Sequence, residues 1–476
     1  MVDNNLLTKI QCKVKVLGIS SDTRHLKKGD VFFAINGKSF NGTEFIDLAI
    51  KKGAVAIVLE KNSINKSLKK IKIPIFLVKD IRASLSEISI SFYKSKISNL
   101  IAVTGTNGKT SVAFFLYSLL KKMKKKSGLI GTLGTSINKF SESNLTTPDS
   151  ISISKILRDM TLKKINYVVM EASSHGLDQK RLHAILFDIG ILTNITHDHL
   201  DYHKTEKHYI NSKLKLFNQQ LKEDGIGIIN KNTNHIGYIK KTLNKKKKKI
   251  YFFGEKKSKF YIVNKETKKN KTILNVRYKE KLYKFKFKDF PFFQIENCLM
   301  AIFALVEAGF SINKLRKFTE SLIGVPGRMQ LAGITKNDAR VFIDFAHTPD
   351  ALTKILIEAK KMTTGKVHVL FGCGGNRDKG KRLLMGKIAL KYSNNVIVTD
   401  DNPRFEEPSM IRKDIIGNLE NILNFGGRKK AIEYGIKSLE KKDILIIAGK
   451  GHEKYQIIKN RYYKFDDLKI AKKFCK

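Results

Sequence analysis

Lys109 and Thr110 end the string Thr104-Gly105-Thr106-Asn107-Gly108-Lys109-Thr110, and these residue types at this spacing suit phosphate binding. The apolar run Leu100-Ile101-Ala102-Val103 precedes it and reads as a buried strand, and Ser111 to Leu120 follows as a helix. Strand, Gly-rich turn and helix N-terminus together make an anion cradle, because backbone N–H groups and the positive end of the helix face the phosphates. Lys109 can reach the terminal phosphates and the Thr110 hydroxyl can bind Mg²⁺. Val103 stands where the usual P-loop pattern has its first Gly.

Further clusters carry chemistry. Glu171 begins Glu171-Ala172-Ser173-Ser174-His175-Gly176 at the end of an apolar run, where a carboxylate is placed for a second contact to Mg²⁺. Three histidines and two aspartates fall in the seven residues from His197 to His203. Zinc is one reading of that cluster. A hard-cation site using His199 is preferred, since no cysteine is near. Lys213, in the helix-like stretch Glu206 to Leu216, reads on its own as a surface residue. Gly372 to Arg382 is a Gly-rich basic loop, and Asp400-Asp401-Asn402-Pro403-Arg404 and Gly449-Lys450-Gly451-His452-Glu453 each follow an apparent strand. Arg377 and Arg404 can clamp carboxylates in fork geometry, while Asp401 and Glu453 can accept from an ammonium. Such a set describes a site for a zwitterionic, amino-acid-like ligand, provided the three loops meet.

The elements that must position these residues are α/β throughout. Residues 1–97 hold short apolar runs at Val31 to Ile35 and Ala54 to Leu59 around a helix-like Thr43 to Lys52, a small α/β unit. Residues 98–327 begin with the phosphate loop and add strands at Tyr167 to Met170, Ile185 to Leu192 and Gly225 to Ile229. Helical stretches lie between most of them, predicting a doubly wound, mostly parallel sheet. Alternation over residues 250–289 predicts an antiparallel extension, and Pro326-Gly327 reads as a hinge. Residues 328–476 repeat the βα rhythm with strands at Val341 to Phe345, Val367 to Phe371, Val396 to Thr399 and Ile444 to Ala448, a Rossmann-like domain. Ligands bind at the carboxyl ends of such strands.

A chain of 476 residues is too long for one core, so several domains are expected. No run of 18 apolar residues predicts a membrane span, and Met1 to Ile10 lacks the order of a signal peptide. The four cysteines, Cys12, Cys298, Cys373 and Cys475, are scattered without metal-ligand spacing, which fits a reduced cytoplasmic compartment. The net charge of +48 raises the question of nucleic acid. Lysines are spread through every region, and only Lys245 to Lys249 forms a block, so solvated positions account for the charge and no nucleic-acid partner is expected.

The ordered motifs resemble the Mur ligases, ATP-dependent amide-bond ligases of peptidoglycan synthesis. The resemblance runs from Ser21-Asp22-Thr23-Arg24 through Thr104 to Ser111, Thr146-Thr147-Pro148, Glu171 to Arg181 and His197 to His203. It continues through Gly324 to Arg328, Asp344-Phe345-Ala346-His347-Thr348-Pro349, Gly372 to Arg382, Asp400 to Arg404 and Gly449 to Glu453. It implies a three-domain chain in which Ser21, Thr23, Lys38, Ser39 and Phe40 bind a uridine nucleotide. Thr146, Thr147, Ser173, Gln179 and Arg181 match positions holding the muramoyl peptide of that substrate. Gly105, Thr106, Asn107, Gly108, Lys109, Thr110 and Ser111 match the ATP loop, and Asn297 a position near the adenine. The preceding residues depart from the family pattern, with Phe293-Gln294 for Phe-Asn. Glu171 and His199, with Thr110, match the Mg²⁺ site, and Lys213 matches a lysine that is carbamylated, giving a further carboxylate. Lys109, Lys213 and His199 are thereby the catalytic set. Asp401, Asn402, Pro403 and Arg404 match the motif of the members that use meso-diaminopimelate, and Arg377, Gly449 and Glu453 its other contacts. The implied reaction joins that amino acid to the D-glutamyl carboxylate of UDP-N-acetylmuramoyl-L-alanyl-D-glutamate, in a cytoplasmic monomer without membrane insertion. A folylpoly-γ-glutamate synthetase would share the ATP core but would not need residues 1–97 or the Asp-Asn-Pro-Arg string. A basic P-loop protein acting on nucleic acid is the reading from another class.

Overall fold

A computed structural model describes residues 4–37, 41–63, 71–136, 140–141, 145–196, 198–244, 249–254, 256, 258–268, 271–288 and 290–475. They pack as two compact units. One comprises Met1–Glu266, Ile273–Lys286 and Glu296–Thr319, and the other Thr267–Thr272, Phe287–Ile295 and Glu320–Lys476.

The first unit opens with a four-stranded parallel sheet in the order Gly18–Ser20, Asp30–Phe33, Ala56–Glu60, Ile75–Val78. Its middle strands read as unbroken apolar runs because both faces are covered. Val31, Phe33, Ala56 and Val58 pack with Leu85 and Ile88 of the helix Ile81–Tyr93. Phe32, Ile57 and Leu59 face the other way, onto Ile46 and Ala49. The outer strands are additions to the sequence-based expectation: Gly18–Ser20 has three residues and no apolar run, while Ile75–Val78 is an apolar run that is only partly buried.

An eleven-stranded sheet follows, with Asn99–Thr104 between Phe187–Leu192 and Tyr167–Glu171, all parallel. Thr104 pairs with Leu192 and Val103 with Glu171, so three strands end level. The segments that leave them are the phosphate loop, the Glu171–Arg181 segment and the Thr193–His203 segment, which therefore share one edge of the sheet. Ser127–Gly131 joins in parallel and Gly134–Ser136 antiparallel beyond it. On the other side stand Leu221–Asn230 and Lys249–Phe253, again parallel. The extension expected to be antiparallel starts with a parallel pair, Phe253 to Phe260. Its last two strands, Lys271–Tyr278 and Lys281–Lys288, are linked by Lys279 and Glu280 at φ +45° and +62°. Two positive-φ residues make the turn that reverses a hairpin, here without the Asn-Gly that announces it.

The second unit has a six-stranded sheet in the order Gln330–Ile334, Arg340–Ile343, Ile444–Ile447, Val367–Phe371, Asn395–Val398, Ile422–Asn424. Only the first pair is antiparallel. The three strands before the candidate ligand loops are neighbours, with Leu370 beside Ile447 and Phe371 beside Val398. A hairpin, Tyr455–Ile458 with Arg461–Lys464, follows the third loop. Gly327, expected at a hinge, lies inside this unit at φ +63°, where a Cβ would come within 2.3 Å of the His452 nitrogen.

Candidate active site

The phosphate loop is shaped by its glycines and by the Thr193–Thr196 segment. Gly105 and Gly108 sit at φ +145° and +83°, and a Cβ on Gly105 would meet Thr193 Oγ1 at 1.9 Å. The Asn107 carbonyl accepts from Thr193 Oγ1 at 2.6 Å and from Asn194 Nδ2 at 3.0 Å. Thr106 N donates to the Asn194 carbonyl at 2.8 Å. The helix that follows, Lys109–Lys122, has no side-chain cap and no acidic residue in its first turn. Its orphan N–H groups and positive pole stay open to an anion. Asn297 lies against this turn, its Oδ1 2.8 Å from where a Gly108 Cβ would stand. The departing Gln294 is buried and donates to the Arg328 carbonyl at 3.0 Å.

Lys109 Nζ donates to the carbonyls of Gly105 and Thr106, both at 2.9 Å. Lys213 is no surface residue: it is 1% exposed and donates to the same Gly105 oxygen at 2.8 Å. Its amine also stands 4.4 Å from the ring centre of Tyr209. Burial, and then the charge of Lys109, hold the Lys213 pKa well below the ordinary lysine value. Helical spacing puts Lys213 in the inward stripe of Glu206–Gln219 with Tyr209, Ile210, Leu214 and Leu216, a signal that its residue type alone masks.

Glu171 is 1% exposed and joins two sides of the site. Its Oε2 accepts from Thr110 Oγ1 at 2.9 Å and from Thr132 Oγ1 at 3.2 Å, and its Oε1 from Thr132 N at 2.8 Å. Thr132 Oγ1 lies 3.2 Å from Thr146 Oγ1, and Thr147 Oγ1 donates to the Glu171 carbonyl at 2.8 Å. Ser173 N donates to Thr147 Oγ1 at 2.9 Å, and the Ser173 hydroxyl caps the next helix at Gly176 N. Arg181 Nη1 donates to the Thr147 carbonyl at 2.6 Å, and its Nη2 to Gln179 Oε1 at 2.7 Å. Thr146, Thr147, Ser173, Gln179 and Arg181 thus form one connected group. Thr132, and Arg82, whose like charge adds to burial in lowering the Arg181 pKa, were not singled out by sequence. A lone Thr in a Gly-rich strand end and a lone Arg on a helix carry no pattern.

Thr23 is buried, with Lys52 Nζ on its carbonyl at 2.8 Å, and Ser21 is half-buried beside it. Lys38, Ser39 and Phe40 lie outside the described residues, as does His197. The helix Ile81–Tyr93 meets the Gln179–Arg181 segment through an Asp80–Lys180 ion pair and a 3.1 Å bond from Ala184 N to Ser86 Oγ.

His199 is exposed, at φ +53°, with its ring 4.8 Å from His175 and 6.4 Å from Tyr209. Thr110 and Glu171 supply the hard oxygen donors that Mg²⁺ takes. Among the described residues one trio of His, Cys, Asp or Glu donors lies within 4.8 Å, Asp178 with His203 and His208. Lys215 Nζ stands 2.7 Å from Asp178 Oδ1 and already neutralises it, so the zinc reading gains nothing.

In the second unit the three loops meet. Gly375 N donates to the Asn402 carbonyl at 2.9 Å, and Arg404 Nη1 to the Gly375 carbonyl at 2.9 Å. A Cβ on Gly449 would fall 2.7 Å from Asp401 Oδ2, and Asn402 Nδ2 donates to Glu453 Oε2 at 3.1 Å. Arg404, at φ +52°, keeps Nε and Nη2 out of every hydrogen bond among the described residues, which leaves a fork for a carboxylate. Arg377 is exposed on the Gly-rich loop, and Pro403 and Asn402 are buried. Arg382, 1% exposed, clamps Glu406 with Nη1 at 2.9 Å and Nη2 at 3.0 Å, fastening the first loop to the second. Arg428 donates to the Ala448 carbonyl at 2.8 Å and to Asp467 at 2.7 and 2.9 Å, holding the start of the third loop.

Comparison with known proteins agrees with this architecture. The Mur ligase family catalytic domain matches residues 15–93, the Mur ligase middle domain 103–305 and the Mur ligase glutamate ligase domain 327–451. A UDP-N-acetylmuramoyl-L-alanyl-D-glutamate–2,6-diaminopimelate ligase of Rickettsia bellii is 41% identical over 474 residues, covering 96% of each chain. The protein of that name from Clostridium tetani is 37% identical, covering 97% of this chain and 95% of its own. A solved structure of the same name is 30% identical, covers 97% of this chain and 94% of its own, and superposes with a TM-score of 0.70. No described helix is long and apolar enough to cross a membrane. The chain belongs to the Mur ligase family.

Proposed function

We propose that this chain joins meso-2,6-diaminopimelate to the D-glutamyl carboxylate of UDP-N-acetylmuramoyl-L-alanyl-D-glutamate at the expense of ATP. The observation that carries this reading is the second-unit site, where the Nε and Nη2 edge of Arg404, unbonded among the described residues, stands in one loop cluster with Asp401 and Glu453. Diaminopimelate has a carboxylate beside its distal amine and lysine does not. A fork left unpaired by lysine would cost binding, which gives the site its preference. The relatives' names and the shared length support the same substrates.

Residues 98–327 hold ATP, with Lys109 exchanging its loop carbonyls for the terminal phosphates and Asn297 beside the base. Thr110, Glu171 and His199 would hold Mg²⁺, with a carbamate on Lys213 as a further carboxylate. Mg²⁺, when bound, supplies positive charge for the triphosphate oxygens. Burial lowers the Lys213 pKa and so favours the neutral amine, the form that takes up CO₂. Residues 1–97 bind the uridine end through Ser21, Thr23 and the segment Lys38-Ser39-Phe40. Thr146, Thr147, Ser173, Gln179 and Arg181 present the glutamyl carboxylate. That carboxylate takes the γ-phosphoryl group, giving an acyl phosphate and ADP, while Lys109 and the uncapped helix stabilise the charge. The amine held by Arg377, Asp401, Asn402, Pro403, Arg404, Gly449 and Glu453 then attacks the acyl carbon. The tetrahedral intermediate collapses to amide and phosphate. Orientation of the two substrates supplies much of the rate. The enzyme works as a cytoplasmic monomer.

Mass spectrometry of the nucleotide product tests this. With ATP, Mg²⁺ and both substrates, the precursor gains one diaminopimelate residue for each ADP formed. ATP consumed with the precursor unchanged would overturn it.

A further inference from the structure

Lys450 is 0% exposed, yet it lies between the two glycines of a loop that faces the amino-acid site. Those glycines turn it inward. Gly449 and Gly451 sit at φ +109° and +55°, and a Cβ on Gly451 would come within 2.7 Å of Phe345 Cβ. Only glycine fits such backbone at such approach. The buried ammonium donates to Asn402 Oδ1 at 2.9 Å and to Glu453 Oε2 at 3.1 Å. Ile457 N also donates to Asn402 Oδ1, at 3.0 Å. With its oxygen taken twice, the Asn402 amide can only present its NH₂ to Glu453, and it does so at 3.1 Å. One oxygen of Glu453 therefore has two donors, while its carboxylate is 24% exposed.

We propose that Lys450 is a positioning residue for the incoming amino acid: it fixes Asn402 and Glu453 so that Glu453 Oε1, which has no donor among the described residues, is aimed at a ligand ammonium. This rests on the function proposed above. A buried lysine bonded to one carboxylate is a poor device for stability, because desolvation offsets most of the attraction. Its value is orientation, since a carboxylate with one oxygen tied has one direction left for a ligand. Lys450 touches no ligand in this scheme and acts through Glu453.

The test is steady-state kinetics on the full chain with Lys450→Met, Glu453→Gln and the double variant, with a melting curve for each. Lys450→Met should raise KM for diaminopimelate about tenfold and leave KM for ATP within about twofold. The double variant should be no worse than Glu453→Gln by more than about twofold, because both remove one interaction. If Lys450→Met does not fold, Lys450→Leu removes the same donor and gives the same readout. Equal rises in both KM values, or losses that multiply in the double variant, would overturn the role. Wild-type protein that uses no diaminopimelate would instead overturn the proposed function, so the two failures are distinguishable.

Discussion

Lys109 and Lys213 donate to one oxygen, the Gly105 carbonyl, at 2.9 and 2.8 Å. Two amines sharing an acceptor in a buried place cannot both hold a proton cheaply. Lys213, the fully enclosed one, is the one whose neutral form is favoured. A neutral amine beside the phosphate loop is a nucleophile for CO₂. Protein in ¹³C-bicarbonate should show one carbamate carbon resonance that Lys213→Ala abolishes. The same variant should lose about 10²-fold or more in kcat, with partial recovery in added formate or acetate. Unchanged activity would show that the residue has no part in turnover.

Thr110 and Glu171 make the second test. Their 2.9 Å bond ties the nucleotide loop to the group around Thr147. Glu171→Gln keeps the shape and removes the charge, so the Mg²⁺ concentration for half-maximal rate should rise about 10- to 100-fold. A rate loss with no change in Mg²⁺ dependence would assign Glu171 to the fold instead.

The sequence made the phosphate loop and the Asp-Asn-Pro-Arg loop readable because each is a contiguous string at the end of a buried strand. It hid the partner of Lys213, the Gly105 carbonyl 108 positions away. Thr132 and Arg82 were equally silent, since their meaning comes from Glu171 and Arg181 across the fold. The edge strands Gln330–Ile334 and Ile422–Asn424 are partly exposed and carry no more than two adjacent apolar side chains each. The Lys279-Glu280 turn lacks the glycine that marks such turns.

Acid stability follows from two carboxyl groups. Arg382 beside Glu406 lowers its pKa from 4.5 to about 2; for Asp178 burial acts upward, but Lys215 and its neighbours outweigh it and bring the pKa from 3.8 to about 2. A lowered folded-state pKa gives stability that is present above the unfolded value and lost as pH falls through the folded one. Wild-type protein should therefore lose stability as pH falls from about 4.5 to about 2. Glu406→Gln should be less stable than wild type at pH 7, with the gap closing over that window in urea denaturation. A gap that is the same at all pH values would contradict the ion pair's role.

Arg404→Ala should raise KM for diaminopimelate by about 30-fold or more while KM for ATP stays within about twofold, since the fork is lost and the phosphate loop is untouched. Equal losses for both substrates would remove Arg404 from the specificity site.

The most direct test of the account is phosphate release from ATP with UDP-N-acetylmuramoyl-L-alanyl-D-glutamate present and either diaminopimelate or L-lysine added. The account predicts turnover with diaminopimelate and little with lysine. Turnover with lysine alone, or with neither in folded protein supplied with Mg²⁺, would contradict it.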